Sequence, residues 1–333
     1  MGSTWRTRVP IVGYCFFGVI TTFVNKHVLS NLHFTYPTVF QSWQTGSSAL
    51  ALLSMSTLGF TDLNIVSVNR SVLRSWLPAS VLFSATIYSG SVALSRLPVP
   101  VFCAIHYIST ILQTLVESIV LRQDLPIKVQ LSLIMTALAV VMVAATDTKF
   151  DQIGYKWMLI HCTFSALYIL YANSRKKNSF SALDQMFCNA VTSVIILMTI
   201  SVATGKVFKY HHRCYKHRTF QKAKCELFTL IEFPYLYSSD FHLWCLGSGV
   251  SGALLSIYHG FLLGTQSSNY MEKLKSLNKV AVSFLSLWIF DASLNLNMAL
   301  SISVALCSGV LHSFSDNPWK ESGKWGQVPI QDT

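Results

Sequence analysis

Charge is scarce in this sequence. Only 12% of its 333 residues are Asp, Glu, Lys or Arg, against about a quarter in a soluble domain. That shortage excludes an ordinary soluble fold. Carboxylates are scarcer still, with 14 Asp and Glu against 25 Lys and Arg. A proton-coupled pump wants a buried, titrating Asp or Glu, and a membrane-embedded glycosyltransferase wants acid/base carboxylates clustered at its active site. The chain offers neither in persuasive form, so no enzyme and no cofactor are expected. It also lacks any nucleic-acid-binding motif, and the net charge of +11 is read as the Lys and Arg that membrane proteins collect in cytoplasmic loops. The eight cysteines form no disulfide framework. Six of them, Cys15, Cys103, Cys162, Cys188, Cys245 and Cys307, stand in apolar stretches, where a free thiol behaves as a small hydrophobe. Cys214 and Cys225 share one polar loop, where a disulfide and two free thiols stay equally open. The His and Cys of that loop fit no standard zinc spacing, and no metal is expected.

Long hydrophobic runs are what the chain has instead. Hydrophobic residues make up 52% of it, and mean hydropathy is +0.45. A helix needs about 20 mostly apolar residues to cross a bilayer, and about ten segments qualify, at roughly 10–30, 37–59, 76–95, 99–121, 127–146, 154–173, 182–203, 241–264, 274–291 and 295–314. The expected fold is therefore all-α, a polytopic membrane protein of about ten helices. The first segment lacks a small-x-small cleavage site and is expected to be retained as a helix. Lys and Arg fall mostly on one side if both termini are cytosolic. Lys26, Arg96, Lys149 and Lys156 fall on the other side, as does a basic lumenal loop at 204–240, which weakens the bias without reversing it. Residues 1–314 read as one transporter domain and 315–333 as a cytosolic tail. Ten helices divide as a 5+5 inverted repeat, about 10–146 and 154–314, an arrangement that places a substrate site near the midplane.

An ionisable side chain at that depth is a functional-site hypothesis by default. Lys279 lies well inside the ninth span, with Asn278 beside it and Lys275 one turn earlier on the same face. Glu117 sits near the cytosolic end of the fourth span, Asp291 ends the ninth, and His106, His161 and His259 lie within spans. Lys279 can snorkel toward the headgroups or serve as counter-charge to an anionic solute. A nearly carboxylate-free interior favours the second. Lys275 snorkels or lines the cytosolic vestibule. Buried histidines are more often hydrogen-bonded than ligating. Tyr88, Tyr107, Tyr168 and Tyr258 are the aromatics that could stack on a base.

The stretch "SLNKVAVSFLSLWIFDA" resembles the GALNK motif and following helix of Golgi GDP-mannose transporters. Ser276, Leu277, Asn278 and Lys279 correspond to the motif's last four letters. "MFCNAVTSVII" stands where that family carries FYNN; Phe187 and Asn189 match, Cys188 replaces Tyr, and Ala190 replaces the second Asn. In the first half, "NKHVLSNLHFTYPTVFQSWQT" and "WLPASVLFSATIYSGSVALSRLPVPVFCAIH" look like a Golgi nucleotide-sugar transporter associated with UDP-N-acetylglucosamine. The resemblance implies the drug/metabolite transporter fold in a Golgi membrane. It implies import of a nucleotide sugar in exchange for a nucleoside monophosphate, with UDP-N-acetylglucosamine and UMP ahead of GDP-mannose and GMP. Asn278 and Lys279 would then serve the sugar-phosphate end, and Asn189, with Phe187 beside it, the base, with the broken FYNN counting against guanine; Ser276 and Lys275 complete the expected substrate-binding set. A sugar-phosphate or organic-anion exchanger on the same fold, and a non-transporting scaffold, are the alternatives. The partners expected are the nucleotide sugar, the monophosphate and the lipid bilayer, with no nucleic acid; a homodimer stays open.

Overall fold

A computed structural model describes residues 2–32, 34, 36–60, 63, 70–122, 124–175, 181–214, 237–290 and 295–315, without the side chains of 2–7, 204–214 and 268. Asp291, residues 215–236 of the basic loop read at 204–240, with them the Cys214–Cys225 pair, and the tail at 316–333 lie outside that description.

Every regular element among the described residues is helical. In lipid a backbone must satisfy its own N–H and C=O groups, which a helix does within one segment. The helices are α1 (Gly2–Lys26), α2 (Pro37–Thr57), α3 (Arg70–Arg96), α4 (Val99–Ile105), α5 (Tyr107–Leu121), α6 (Ile127–Thr146), α7 (Gln152–Ser174), α8 (Ala182–Cys214), α9 (Ser239–Thr265), α10 (Ser268–Ile289) and α11 (Leu296–Phe314). Local chemistry sets several boundaries. Pro37 opens α2, and Pro98 and Pro126 precede α4 and α6; the missing N–H of a proline costs nothing at a helix start. The Asp151 side chain caps α7 by accepting from the Ile153 N–H. Ser267 does the same for α10 through Tyr270. Arg122 ends α5 in the left-handed region, at φ 49°.

The differences from the sequence expectation are local. The first helix starts at Gly2 and closes with a π-helical turn, His27–Asn31. The third begins at Arg70 rather than near 76. The fourth is interrupted at His106, between α4 and α5. The helix expected over 182–203 runs on to Cys214, so it enters the stretch read as a loop.

Among the described residues seven helical stretches are long and apolar enough to cross a membrane: Arg8–Asn31, Arg70–Arg96, Val99–Leu121, Ile127–Thr146, Ala182–Ala203, Ser239–Thr265 and Leu296–Phe314. The protein is thus multi-pass. α2, α7 and α10 carry more polar residues, and in α2 these form a buried face that includes Gln41, Gln44, Thr45 and Ser48. The outward faces of the same three helices are apolar, with Leu50 and Leu53 exposed on α2, Leu159 and Leu167 on α7, and Phe284 and Trp288 on α10.

α3 packs on α7 and α8, α1 on α9, α2 on α8 and α9, α6 on α11, and α4 on α10. The largest buried cluster surrounds Tyr107 and includes Leu97, Val101, Ile105, Met158 and Cys162.

Candidate functional site

Lys279 is the twelfth residue of α10, which starts at Ser268. Its Nζ stands 4.3 Å from the centre of the Tyr107 ring. A cation over an aromatic face gains about 0.5–2 kcal/mol, more as water is removed. The ring is held in turn. Tyr107 OH lies 2.9 Å from Ser276 Oγ and 3.3 Å from the Ser276 carbonyl oxygen, and the ring lies flat against Gly309 of α11. Ser276 therefore seats Tyr107, and Tyr107 seats Lys279.

Beside the ammonium is a cavity of about 140 Å³ lined by Thr22, Phe102, Cys103, His106, Asn278, Lys279 and Val282. A water takes about 30 Å³ and a drug-sized ligand site about 300–1,000 Å³. The cavity as it stands suits a few waters, so a nucleotide-sized solute requires the bundle to open. Two polar atoms at this cavity have no protein partner among the described residues: Asn278 Oδ1 and His106 Nδ1. A buried polar atom without a partner costs about 1–3 kcal/mol, so both atoms are available to a bound water or solute. His106 shares its end of the cavity with His161, ring centres 5.0 Å apart, and with Phe102. His161 is itself engaged, its Nδ1 lying 2.9 Å from the Thr86 carbonyl oxygen. On the α1 side Gly18 leaves room for Asn278, since a Cβ there would lie 2.6 Å from Asn278 Nδ2.

Of the residues singled out in the sequence, Asn278 and Lys279 line the cavity and Ser276 supports it through Tyr107. Lys275 lies one turn back along α10, within electrostatic reach of Glu272, and is not among the lining residues. Asn189 and Phe187 are not among them either. Asn189 is buried, and its Oδ1 accepts from Trp76 Nε1 at 3.0 Å and Ser80 Oγ at 2.8 Å. Its Nδ2 donates to Tyr168 OH at 2.9 Å. An Asn side chain has four hydrogen-bonding positions, and three of them are filled here. Phe187 packs beside Leu52, Met186 and Ile257. Tyr88 meets Trp157 edge-on, and Tyr258 stacks on Phe17. Glu117 is buried and accepts from Gln113 Nε2 at 2.9 Å. Among the described residues no three His, Cys, Asp or Glu side chains come together to hold a metal.

Several engaged polar residues escaped the sequence reading. Gln44 exchanges hydrogen bonds with Asn25, at 3.2 and 3.1 Å, and donates to Ser248 Oγ at 3.1 Å. The Lys26 ammonium donates to the Leu94 and Leu97 carbonyl oxygens, 2.9 Å each, at the negative end of α3. His312 lies 3.2 Å from Thr114 Oγ1 and 2.9 Å from Ser132 Oγ. A search for ionisable groups passes over amides such as Gln44, yet a buried amide also needs partners; Lys26 was counted only toward the orientation, and His312 went unremarked inside the last apolar run. Gln and Asn inside apolar runs were the available signal.

Comparison with known proteins places the chain among carriers. Residues 8–244 match the profile of the Triose-phosphate Transporter family. A Xenopus laevis protein named UDP-N-acetylglucosamine transporter TMEM241 homolog is 34% identical over 297 residues, covering 89% of this chain and 93% of its own length. The Mus musculus UDP-N-acetylglucosamine transporter TMEM241 is 35% identical over 285 residues, covering 84% and 87%. A GDP-mannose transporter of Aspergillus oryzae is 24% identical over 336 residues, covering 96% and 83%. One crystal structure superposes with a TM-score of 0.51 at 11% identity, covering 90% of this chain and 95% of its own; that likeness concerns the fold alone.

Proposed function

Because the chain belongs to the Triose-phosphate Transporter family, we propose that it is a nucleotide-sugar antiporter, carrying UDP-N-acetylglucosamine from cytosol to Golgi lumen in exchange for UMP. The observation that carries the reading is Lys279, a cation seated by Tyr107 beside a cavity at which Asn278 Oδ1 and His106 Nδ1 have no protein partner among the described residues. The names of the relatives at 34% and 35% identity supply the cargo. A nucleoside-diphosphate sugar and a nucleoside monophosphate each carry about two negative charges near pH 7. One cationic site can therefore serve both directions of an exchange. Lys279 takes the phosphates, as a compact point charge that tolerates a moving ligand. Asn278 bonds phosphate or sugar hydroxyls, Ser276 holds Tyr107 in place, and Lys275 lies along the cytosolic approach. Asn189, with Phe187 beside it, addresses the base once the amide has released one of its present partners.

The architecture proposed with it is ten crossings in two inverted repeats, with both termini in the cytosol. α4 and α5 form one crossing, and α2, α7 and α10 cross with their apolar faces toward lipid. Packing supports the repeat. Matching each crossing with the one five later pairs the α1–α9 contact with α7–α3, and α2–α9 with α8–α3; the α2–α8 and α6–α11 contacts map onto themselves.

Purified protein in liposomes preloaded with UMP or with GMP tests the cargo. Uptake of labelled UDP-N-acetylglucosamine is expected with internal UMP and not with GMP. Uptake of GDP-mannose against GMP alone would move the assignment to guanine. Movement of neither, beside a working control carrier, would remove the nucleotide-sugar reading. Gly18→Ala tests the Asn278 contact in the same system. The added methyl meets the far end of a side chain that can swing away, so the thermal midpoint should shift little. KM for the sugar nucleotide should rise about tenfold, the worth of one good polar contact; an unchanged KM would take Asn278 out of the site.

A further inference from the structure

Two polar knots tie the helices together, each across three helices. In the first, Gln44 of α2 bonds Asn25 of α1 and Ser248 of α9, and Ser248 Oγ also donates to Asn25 Oδ1 at 3.0 Å. In the second, Asn189 of α8 bonds Trp76 and Ser80 of α3 and Tyr168 of α7. The helices correspond one to one under the proposed repeat, α1 with α7, α2 with α8, and α9 with α3. So do the central amides, because Gln44 is the eighth residue of a helix that starts at Pro37 and Asn189 the eighth of one that starts at Ala182. Ser248 and Ser80 are the tenth and eleventh residues of helices that start at Ser239 and Arg70. At about 1.5 Å per residue, both amides lie about 10 Å inside the ends where their helices begin. With every helix a crossing, α2 and α8 begin at opposite faces of the membrane.

We propose that these knots are the two gates of the carrier, the Gln44 knot closing the lumenal side and the Asn189 knot the cytosolic side, and that they open in turn. This rests on the carrier reading above, but not on the identity of its cargo. Both knots are formed in this structure, in which the cavity at Lys279 measures only about 140 Å³. Neutral amides and hydroxyls suit a gate. When the bundle opens, each partner takes a water instead, and the net change is about fivefold in the equilibrium per hydrogen bond. A buried ion pair pulled apart costs far more. The asparagine at the centre of the cytosolic knot is also the residue assigned to the base. An arriving base that competes for that amide would loosen the gate through which it enters.

Sided labelling tests the gates without substrate. Cys103 lines the cavity and is buried, so a gate that opens on one face should speed its labelling by a membrane-impermeant maleimide from that face. The protein is reconstituted in sealed liposomes of determined orientation, and the modified peptide is identified by mass spectrometry. Gln44→Leu should speed Cys103 labelling on the order of a hundredfold from the lumenal face and not from the cytosolic face, the three hydrogen bonds to Asn25 and Ser248 being worth about fivefold each. Trp76→Phe combined with Ser80→Ala, which leaves Asn189 in place, should do the reverse. If Gln44→Leu fails to fold, Ser248→Ala removes fewer bonds on the same side and should show the same sidedness. Folded variants that label from one common face, or no faster than the parent, would overturn the proposal. Sided labelling in a protein that moves neither nucleotide sugar would fault only the cargo.

Discussion

Lys279→Met is expected to abolish exchange while leaving the protein folded. Methionine keeps the length and the apolar stem of lysine, so the contact with Tyr107 survives in outline. What it removes is the charge. Deleting one partner of a desolvated charge pair costs about 2–5 kcal/mol, at least about thirtyfold in uptake at low substrate. Against that, the folded protein loses only the cation–π contact at 4.3 Å, about 0.5–2 kcal/mol, and it no longer has to keep an ammonium at membrane depth. The effect on transport should therefore far exceed any effect on stability. Lys279→Arg separates charge from shape, since a planar guanidinium is larger than the cavity was built for and should give partial activity. Lys275→Met should be milder, because Lys275 lies outside the cavity lining. Normal uptake by correctly folded Lys279→Met would return the lysine to a snorkelling role.

The sequence made some features plain and concealed others, for physical reasons. Helices were legible wherever an apolar run ended in a proline or a capping side chain: α6 occupies 127–146 as expected, and α2 starts at Pro37. Boundaries were missed where the helix outlasts its hydrophobicity, as at the start of α3 and the end of α8, because composition records the membrane and not the hydrogen-bond ladder. The break at His106 left no trace in composition; no proline stands at that position. Lys279 and Asn278 were legible because a cation in an apolar helix is conspicuous. The seat beneath them was not, since Tyr107 and Gly309 read as ordinary membrane residues until three-dimensional packing brings them together. Asn189 was assigned by its neighbours in the sequence, and only the fold reveals that Trp76, Ser80 and Tyr168 occupy it in this conformation.

That seat carries the second large effect, expected for Gly309→Ala. A Cβ at Gly309 would run into three atoms of the Tyr107 ring, and the ring is buried, with 1% of its surface exposed. The ring is the broad side of a rigid group, so it cannot fold away as a flexible tail would. It must tilt or push α11 outward, and overpacking of this kind costs about 1–3 kcal/mol. Tilting also strains the Tyr107–Ser276 bond, worth about another 1 kcal/mol, and moves the surface on which Lys279 rests. The thermal midpoint should fall by several degrees, and uptake should fall with it. Stability and function can be separated by adding Tyr107→Leu to Gly309→Ala. Leucine gives the new methyl room, so the midpoint should recover beyond the sum of the single changes, as neighbouring sites in contact do. Uptake should not recover, because leucine offers neither an aromatic face to the ammonium nor a hydroxyl to Ser276. Recovery of both together would make Tyr107 a packing residue and leave Lys279 to be positioned by the cavity alone.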